Sequence, residues 1–493
     1  MALYGQQQGD NSELRKKRRK KEQIQAFGIL AGALVVVIIL IVGIASGVNA
    51  LLGSGSKDKK AETVVKEIDE SETADTKGDE KTAETEENID EKNVEETDVG
   101  ETEGSEVSSN VIDETEQENV SQDLVEDTGV MAEDRKEQIL DSYVQNILGT
   151  LTLEEKIGQM FLVTSQNITG VADAKQAGSS TSAAINEYAI GGILYDENNM
   201  ESKEQLTLMI QNTKSFGKLE MFFAVSDEGG EDSPLTLGGV RETALLSQSD
   251  VAAGGISEAY SVGISKSSEF RNLEINLNLA PMTDVVTNTG SSVASRAYGN
   301  SVTDVLSLTK SEMKGMIDQG VNCCVKYFPG QGDVTGDTKT TRVTSQRTKE
   351  QLDQTEGVIY KELIEEDVPM IMVSHVTMPK VTGDNMPSSL SSVIVTDILR
   401  NEYGFQGVII TDYMNKNAIT RFYKHADASV MAVQAGVDMI VAPGDFKKSY
   451  SGLLQAVKDG EITEERINES VVRILKMKYK DIIDYENTTV TEQ

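Results

Sequence analysis

Apolar residues fall into three regimes along the chain. From Ala26 to Val48 no residue is charged, and Leu34 to Val42 is an unbroken aliphatic run, long enough as a helix to cross a bilayer. From about Gly53 to Asp134 there is no Phe, Tyr or Trp, and hydrophobic positions are scattered without period. From Arg135 onward, short apolar runs alternate with amphipathic stretches of helical period. Eight such runs predict strands: Gln159 to Thr164, Gly191 to Tyr195, Met221 to Val225, Leu277 to Met282, Val321 to Tyr327, Pro369 to Val373, Gly407 to Thr411 and Val437 to Ala442. Each is nearly continuous in apolar character, as a strand covered on both faces must be. Stretches such as Glu201 to Ser215 and Glu465 to Lys478 repeat at the helical spacing instead. Eight βα units in the segment 135–485 predict an α/β fold, a (β/α)8 TIM-like barrel.

Charge and composition add the surroundings. Of 493 residues 38% are apolar, and 81 acidic against 46 basic residues give a formal charge of -35, which excludes a general nucleic-acid-binding surface. The basic run Arg15 to Lys21 precedes the aliphatic segment. A positive flank on that side predicts residues 1–25 in the cytoplasm, 26–48 as a transmembrane anchor and everything after it outside the cell membrane. The alternative, a signal peptide cut near Val48-Asn49-Ala50, is disfavoured by the length of the apolar stretch. Between Lys57 and Asp134 there are 29 acidic and 7 basic residues, so 49–134 is expected to be a disordered, self-repelling tether. Residues 486–493 read as a C-terminal tail. Cys323 and Cys324 are adjacent and the only histidines are His375 and His425, which leaves neither a disulfide framework nor a zinc set.

A barrel of this type works where its strands end and the following loops begin. Those ends carry Asp196 and Glu197, then Ser226-Asp227-Glu228, Asp284, Lys326-Tyr327, Ser374-His375, Asp412 and Pro443-Gly444. A rim so rich in ionisable groups suits acid and base chemistry on a neutral polar substrate such as a sugar. Carboxylates at strand ends also cap helices and pair with one another, so position alone assigns no role to any one of them.

The segment KYFPGQGD from Lys326 to Asp333 resembles the Lys-His-Phe-Pro-Gly-His-Gly-Asp loop of family 3 glycoside hydrolases, in the single-domain β-N-acetylglucosaminidase branch. LTLEEKIGQMF (Leu151 to Phe161), DEGG (Asp227 to Gly230), RAYG (Arg296 to Gly299), MVSHVTMP (Met372 to Pro379), GFQGVIITDYM (Gly404 to Met414) and AGVDM (Ala435 to Met439) are similar to that family in its own order. The resemblance implies a retaining mechanism through a glycosyl-enzyme ester, with Asp412 as nucleophile. It implies sugar contacts from Lys326 and Arg296, and a substrate-proximal or packing place for His375. It implies no metal and no organic cofactor.

Three departures stand beside the matches. The family's general acid is a histidine two residues after an aspartate, and here the run is Asp337-Thr338-Lys339. A lysine needs a strongly depressed pKa for that task, so Asp337 is the expected proton donor, with Asp333 and Glu228 as alternatives. Tyr327 and Gln331 replace two other family histidines, and Ser226 replaces a sugar-contacting aspartate for which Asp227, one position along, is the possible substitute. Two main readings follow, beside a third in which the barrel carries a different hydrolase or transferase chemistry. One is a membrane-anchored hydrolase of terminal β-N-acetylhexosaminide or related β-glycosidic bonds, with a carbohydrate partner that the anchor and tether suggest is peptidoglycan-derived. The other is a catalytically degenerate member that binds glycan or protein.

Overall fold

A computed structural model describes residues 133–486 and residue 488. The basic N-terminus, the anchor, most of the tether and most of the tail lie outside these. Among the described residues no helix is long and apolar enough to cross a membrane.

Eight strands form one parallel sheet: β1 Phe161–Thr164, β2 Gly192–Leu194, β3 Phe222–Val225, β4 Leu277–Asn278, β5 Asn322–Phe328, β6 Met370–Val373, β7 Val408–Thr411 and β8 Ile440–Val441. The order β7-β6-β5-β4-β3-β2-β1-β8 is sequential around the ring. A parallel bridge between Ile410 and Met439, with Thr411 N–H donating to the Met439 carbonyl at 3.1 Å, brings β7 against β8. All eight expected strands are present. β4 is shorter than its apolar run because Pro281 has no N–H to give the ladder; Met282 rejoins it with a single bridge to Lys326. The strand residues are buried on both faces, Cys323 and Cys324 among them as free thiols in the core.

The helices between strands turn one stripe inward. In Lys203–Phe216, Leu206, Met209, Ile210 and Thr213 are buried, the i, i+3, i+4, i+7 spacing of a single face. Ser202 starts that helix by accepting the Gln205 N–H, which satisfies one orphan donor of the first turn. Each buried aliphatic side chain of this kind contributes about 1.5–3 kcal/mol, and Ile210→Ala would forfeit roughly 2–5 kcal/mol. A further helix over 133–150 packs Ile139, Val144 and Leu148 into the core and sets the Tyr143 ring 5.3 Å from Tyr479. The loops after the strands then share one rim, where the ionisable residues gather.

Candidate active site

Asp412 follows β7 directly and its side chain is 0% exposed. One carboxylate oxygen accepts the Tyr413 N–H at 2.7 Å, and the other accepts Lys416 Nζ at 2.6 Å. Burial alone would favour a neutral acid. The Lys416 ammonium and the two hydrogen bonds outweigh it and hold Asp412 below the usual carboxylate range. Lys416 is itself 11% exposed, and it faces the rings of Tyr327 at 5.5 Å and Tyr413 at 5.8 Å.

Beside this pair stands a second cluster. Lys326, near the end of β5 and 1% exposed, donates to Glu228 at 2.7 Å and to the Ser226 hydroxyl at 2.8 Å. Glu228 also accepts Arg296, and although burial works against its charge, the two cations pull its pKa down to about 2. Glu228 is therefore a fixed anion that aims two donors and has no proton to give. Tyr327 is 6% exposed, and its ring lies within cation–π range of both ammoniums, 5.1 Å from Lys326 and 5.5 Å from Lys416. A neutral phenol suits a place between two ammoniums, where a protonated imidazole would be repelled by both.

The turn carrying these groups is pinned from below. Asp284 accepts the N–H groups of Gln331 at 2.6 Å and Tyr327 at 3.3 Å. Burial, with the Glu356 charge adding to it, raises Asp284 to about 7 against the pull of those donors and of Arg296. Gly330 sits at φ +109, and a Cβ there would meet Glu356 Oε1 at 2.4 Å, so both conformation and space call for glycine.

The loop after β5 folds over towards the loop after β7. The Ala418 N–H donates to the Thr338 carbonyl at 3.0 Å, and the Asn417 N–H to the Lys339 carbonyl at 3.3 Å. Asp337 is partly buried, accepts the Lys339 N–H at 2.7 Å and lies within electrostatic reach of Lys416. The Lys339 side chain is exposed. Asp333 is bound into the loop's base, accepting Ser345 Oγ at 2.5 Å beside Arg347 at 3.3 Å.

Asp412, Lys326, Arg296, Tyr327 and Ser226 thus meet in one place, with Asp337 alongside. Two expected sugar contacts do not join them. Asp227 is completely buried and committed elsewhere, to Arg241 at 2.7 Å and the Gly229 N–H at 2.8 Å, because successive side chains leave the strand end on opposite sides. His375 is also 0% exposed. Its Nε2 lies 3.0 Å from the Tyr413 carbonyl and so donates, leaving Nδ1 to accept from the Ser389 hydroxyl at 2.7 Å. Burial, only partly offset by the Asp412 charge, lowers its pKa to about 4; it is a neutral strut beneath the nucleophile position. Lys416, which the sequence placed near the nucleophile with Met414 only as a residue that could shape the aglycone side, instead pairs with Asp412. It stands four positions after Asp412 outside any helix that would pair them, so only tertiary structure reveals the contact. Among the described residues no group of three His, Cys, Asp or Glu side chains is placed to hold a metal ion.

A carboxylate at the end of β7 thus stands beside a Lys–Glu–Arg cluster, on the rim where a barrel of this architecture places its chemistry. Comparison with known proteins narrows the class. The Glycosyl hydrolase family 3 N terminal domain model matches residues 152–477. The chain is similar to beta-hexosaminidase A of Pseudoalteromonas piscicida, 28% identical over 331 residues covering 61% of this chain and 55% of that one. It is also similar to the beta-hexosaminidase of Psychromonas ingrahamii, 26% identical over 266 residues covering 53% and 78%. Among solved structures, a family 3 beta-N-acetylglucosaminidase from Paenibacillus sp. str. FPU-7 superposes with a TM-score of 0.64 at 31% identity, covering 70% of this chain and 65% of that one. The chain belongs to glycosyl hydrolase family 3. It spans little more than half the length of the first of these relatives.

Proposed function

We propose that the barrel is a retaining β-N-acetylhexosaminidase. The observation that carries this is Asp412: an ionised carboxylate at the end of β7, beside Lys326 and Arg296, in a chain similar to beta-hexosaminidases. In this reading Lys326 and Arg296 grip sugar hydroxyls while Glu228 keeps both donors aimed. Asp412 attacks the anomeric carbon, and the leaving oxygen takes its proton from Asp337, whose loop is held beside Asp412 by the Thr338 and Lys339 carbonyls. Water then attacks the ester from the opposite face, returning its proton to Asp337 and releasing a sugar of retained configuration. The uncharged run 26–48 and the acidic stretch after it, read from the sequence as an anchor and a tether, support the further proposal of a substrate in cell-wall glycan outside the membrane.

Lys339, where the family resemblance calls for histidine, and the full burial of Asp412 favour a second reading, a binding module without turnover. Hydrolysis of an aryl β-N-acetylglucosaminide and of a natural disaccharide, each with Asp412→Asn and Asp337→Asn as controls, separates the two. The hydrolase reading expects Asp412→Asn to abolish both reactions and Asp337→Asn to spare the aryl substrate, whose leaving group needs little protonation. Sugar binding without cleavage of either substrate supports the binding module.

A further inference from the structure

We infer that Lys416 is a catalytic residue of this site: the counter-ion of Asp412 that drives breakdown of the sugar–Asp412 ester. The inference rests on the glycosidase reading above and deepens it. Its basis is geometric. Lys416 Nζ is 2.6 Å from Asp412 Oδ2, the Asp412 side chain is 0% exposed and that of Lys416 11%, and no other cation among the described residues is hydrogen-bonded to that carboxylate. The remaining charged or titratable neighbours are otherwise engaged. Lys326 is paired with Glu228, and His375 is neutral with both ring nitrogens occupied. Tyr327 and Tyr413 present their rings to Lys416, and Asp337 faces it from the neighbouring loop.

The charge balance of the two half-reactions differs around such a pair. In the first, an Asp412 oxygen forms a bond to the anomeric carbon, the glycosidic C–O bond breaks, and the departing oxygen takes the acid's proton. Asp412 is then a neutral ester, and the Lys416 ammonium has exchanged its hydrogen-bonded counter-ion for the carboxylate that Asp337 becomes on giving up its proton, which faces it from the neighbouring loop. Loss of the direct ion pair raises the ester in energy relative to the free site. In the second, water adds to the anomeric carbon and gives up a proton, the ester C–O bond breaks, and its electron pair returns to Asp412. The ion pair re-forms as that bond breaks. Lys416 therefore opposes formation of the ester and accelerates its loss, so the ester stays scarce during turnover.

The test is rapid mixing of an aryl β-N-acetylglucosaminide with the full chain, Lys416→Met and Lys416→Arg, followed by intact-mass analysis of the quenched protein. The expected result is no burst and no adduct in the parent chain. Lys416→Met is expected to give a burst of aryl alcohol, an N-acetylhexosaminyl adduct on Asp412 and a kcat lower by about tenfold or more; Lys416→Arg should restore the parent behaviour. Should Lys416→Met fail to fold, Lys416→Gln removes the charge while keeping a hydrogen bond and is read in the same way. Turnover by the parent with the same adduct level in the uncharged variant overturns the role given to Lys416 and leaves the glycosidase reading standing. A parent chain that releases no aryl alcohol at any enzyme concentration overturns the glycosidase reading, and this inference with it.

Discussion

Lys416 Nζ and Asp412 Oδ2 are 2.6 Å apart, with the Asp412 side chain wholly buried and that of Lys416 only partly exposed. Breaking such a pair from one side leaves a charge buried without a partner, which costs roughly 3–5 kcal/mol. Lys416→Met is accordingly expected to lower the urea midpoint strongly at neutral pH, and Lys416→Met with Asp412→Asn to recover most of the loss. Losses in Lys416→Met and Asp412→Asn that simply add in the double variant would show that the two groups are not energetically coupled.

Lys339 occupies the position at which the family resemblance calls for a histidine, and its side chain is exposed on a loop bonded to Asn417 and Ala418. An imidazole there both gives and accepts a proton near neutral pH. Lys339→His should therefore raise kcat for a disaccharide by up to about 100-fold, with a much smaller gain on an aryl glycoside whose leaving group needs little help. An equal change on both substrates would separate this loop from proton transfer.

The barrel was legible because a strand covered on both faces must be apolar throughout, and eight such runs alternate with stretches of helical period. Asp412, Lys326 and Tyr327 were legible as strand-end residues within motifs, and Arg296 through its RAYG motif alone. The parity of the Ser226-Asp227-Glu228 turn was legible in principle, since residues two apart share a side: Ser226 and Glu228 both meet Lys326, while Asp227 meets Arg241. The Lys416 contact was not legible, because a loop sets it. Nor was the place of His375, whose neutrality comes from burial beneath Tyr413 and not from any local pattern.

Arg241 joins Asp227 at 2.7 Å, Glu269 at 2.6 Å and the Ser233 hydroxyl at 3.0 Å behind the rim. Its removal would strand the wholly buried Asp227 carboxylate. Arg241→Met is expected to destabilise the fold by about 3–5 kcal/mol while the folded fraction keeps its KM. A large rise in KM at unchanged stability would instead mean that Asp227 reaches the sugar.

His375 contributes a pH dependence of definite sign. Its pKa falls from 6.5 to about 4 on folding, so between those values the unfolded chain holds a proton that the folded chain refuses. Stability from this residue is complete above about pH 6.5, declines as pH falls and is lost by about pH 4, an amount on the order of 3 kcal/mol. Urea midpoints measured from pH 7 to pH 4 should lose the corresponding slope in His375→Gln. An unchanged slope would place the acid sensitivity elsewhere.

The central claim is that Asp412 forms a covalent sugar ester, and the configuration of the first product tests it most directly. Proton NMR of an aryl β-N-acetylglucosaminide mixed with the full chain should show the β-anomer of N-acetylglucosamine first and the α-anomer only as mutarotation proceeds, with neither released by Asp412→Asn. Appearance of the α-anomer first, or release of sugar by Asp412→Asn at the parent rate, would contradict the account.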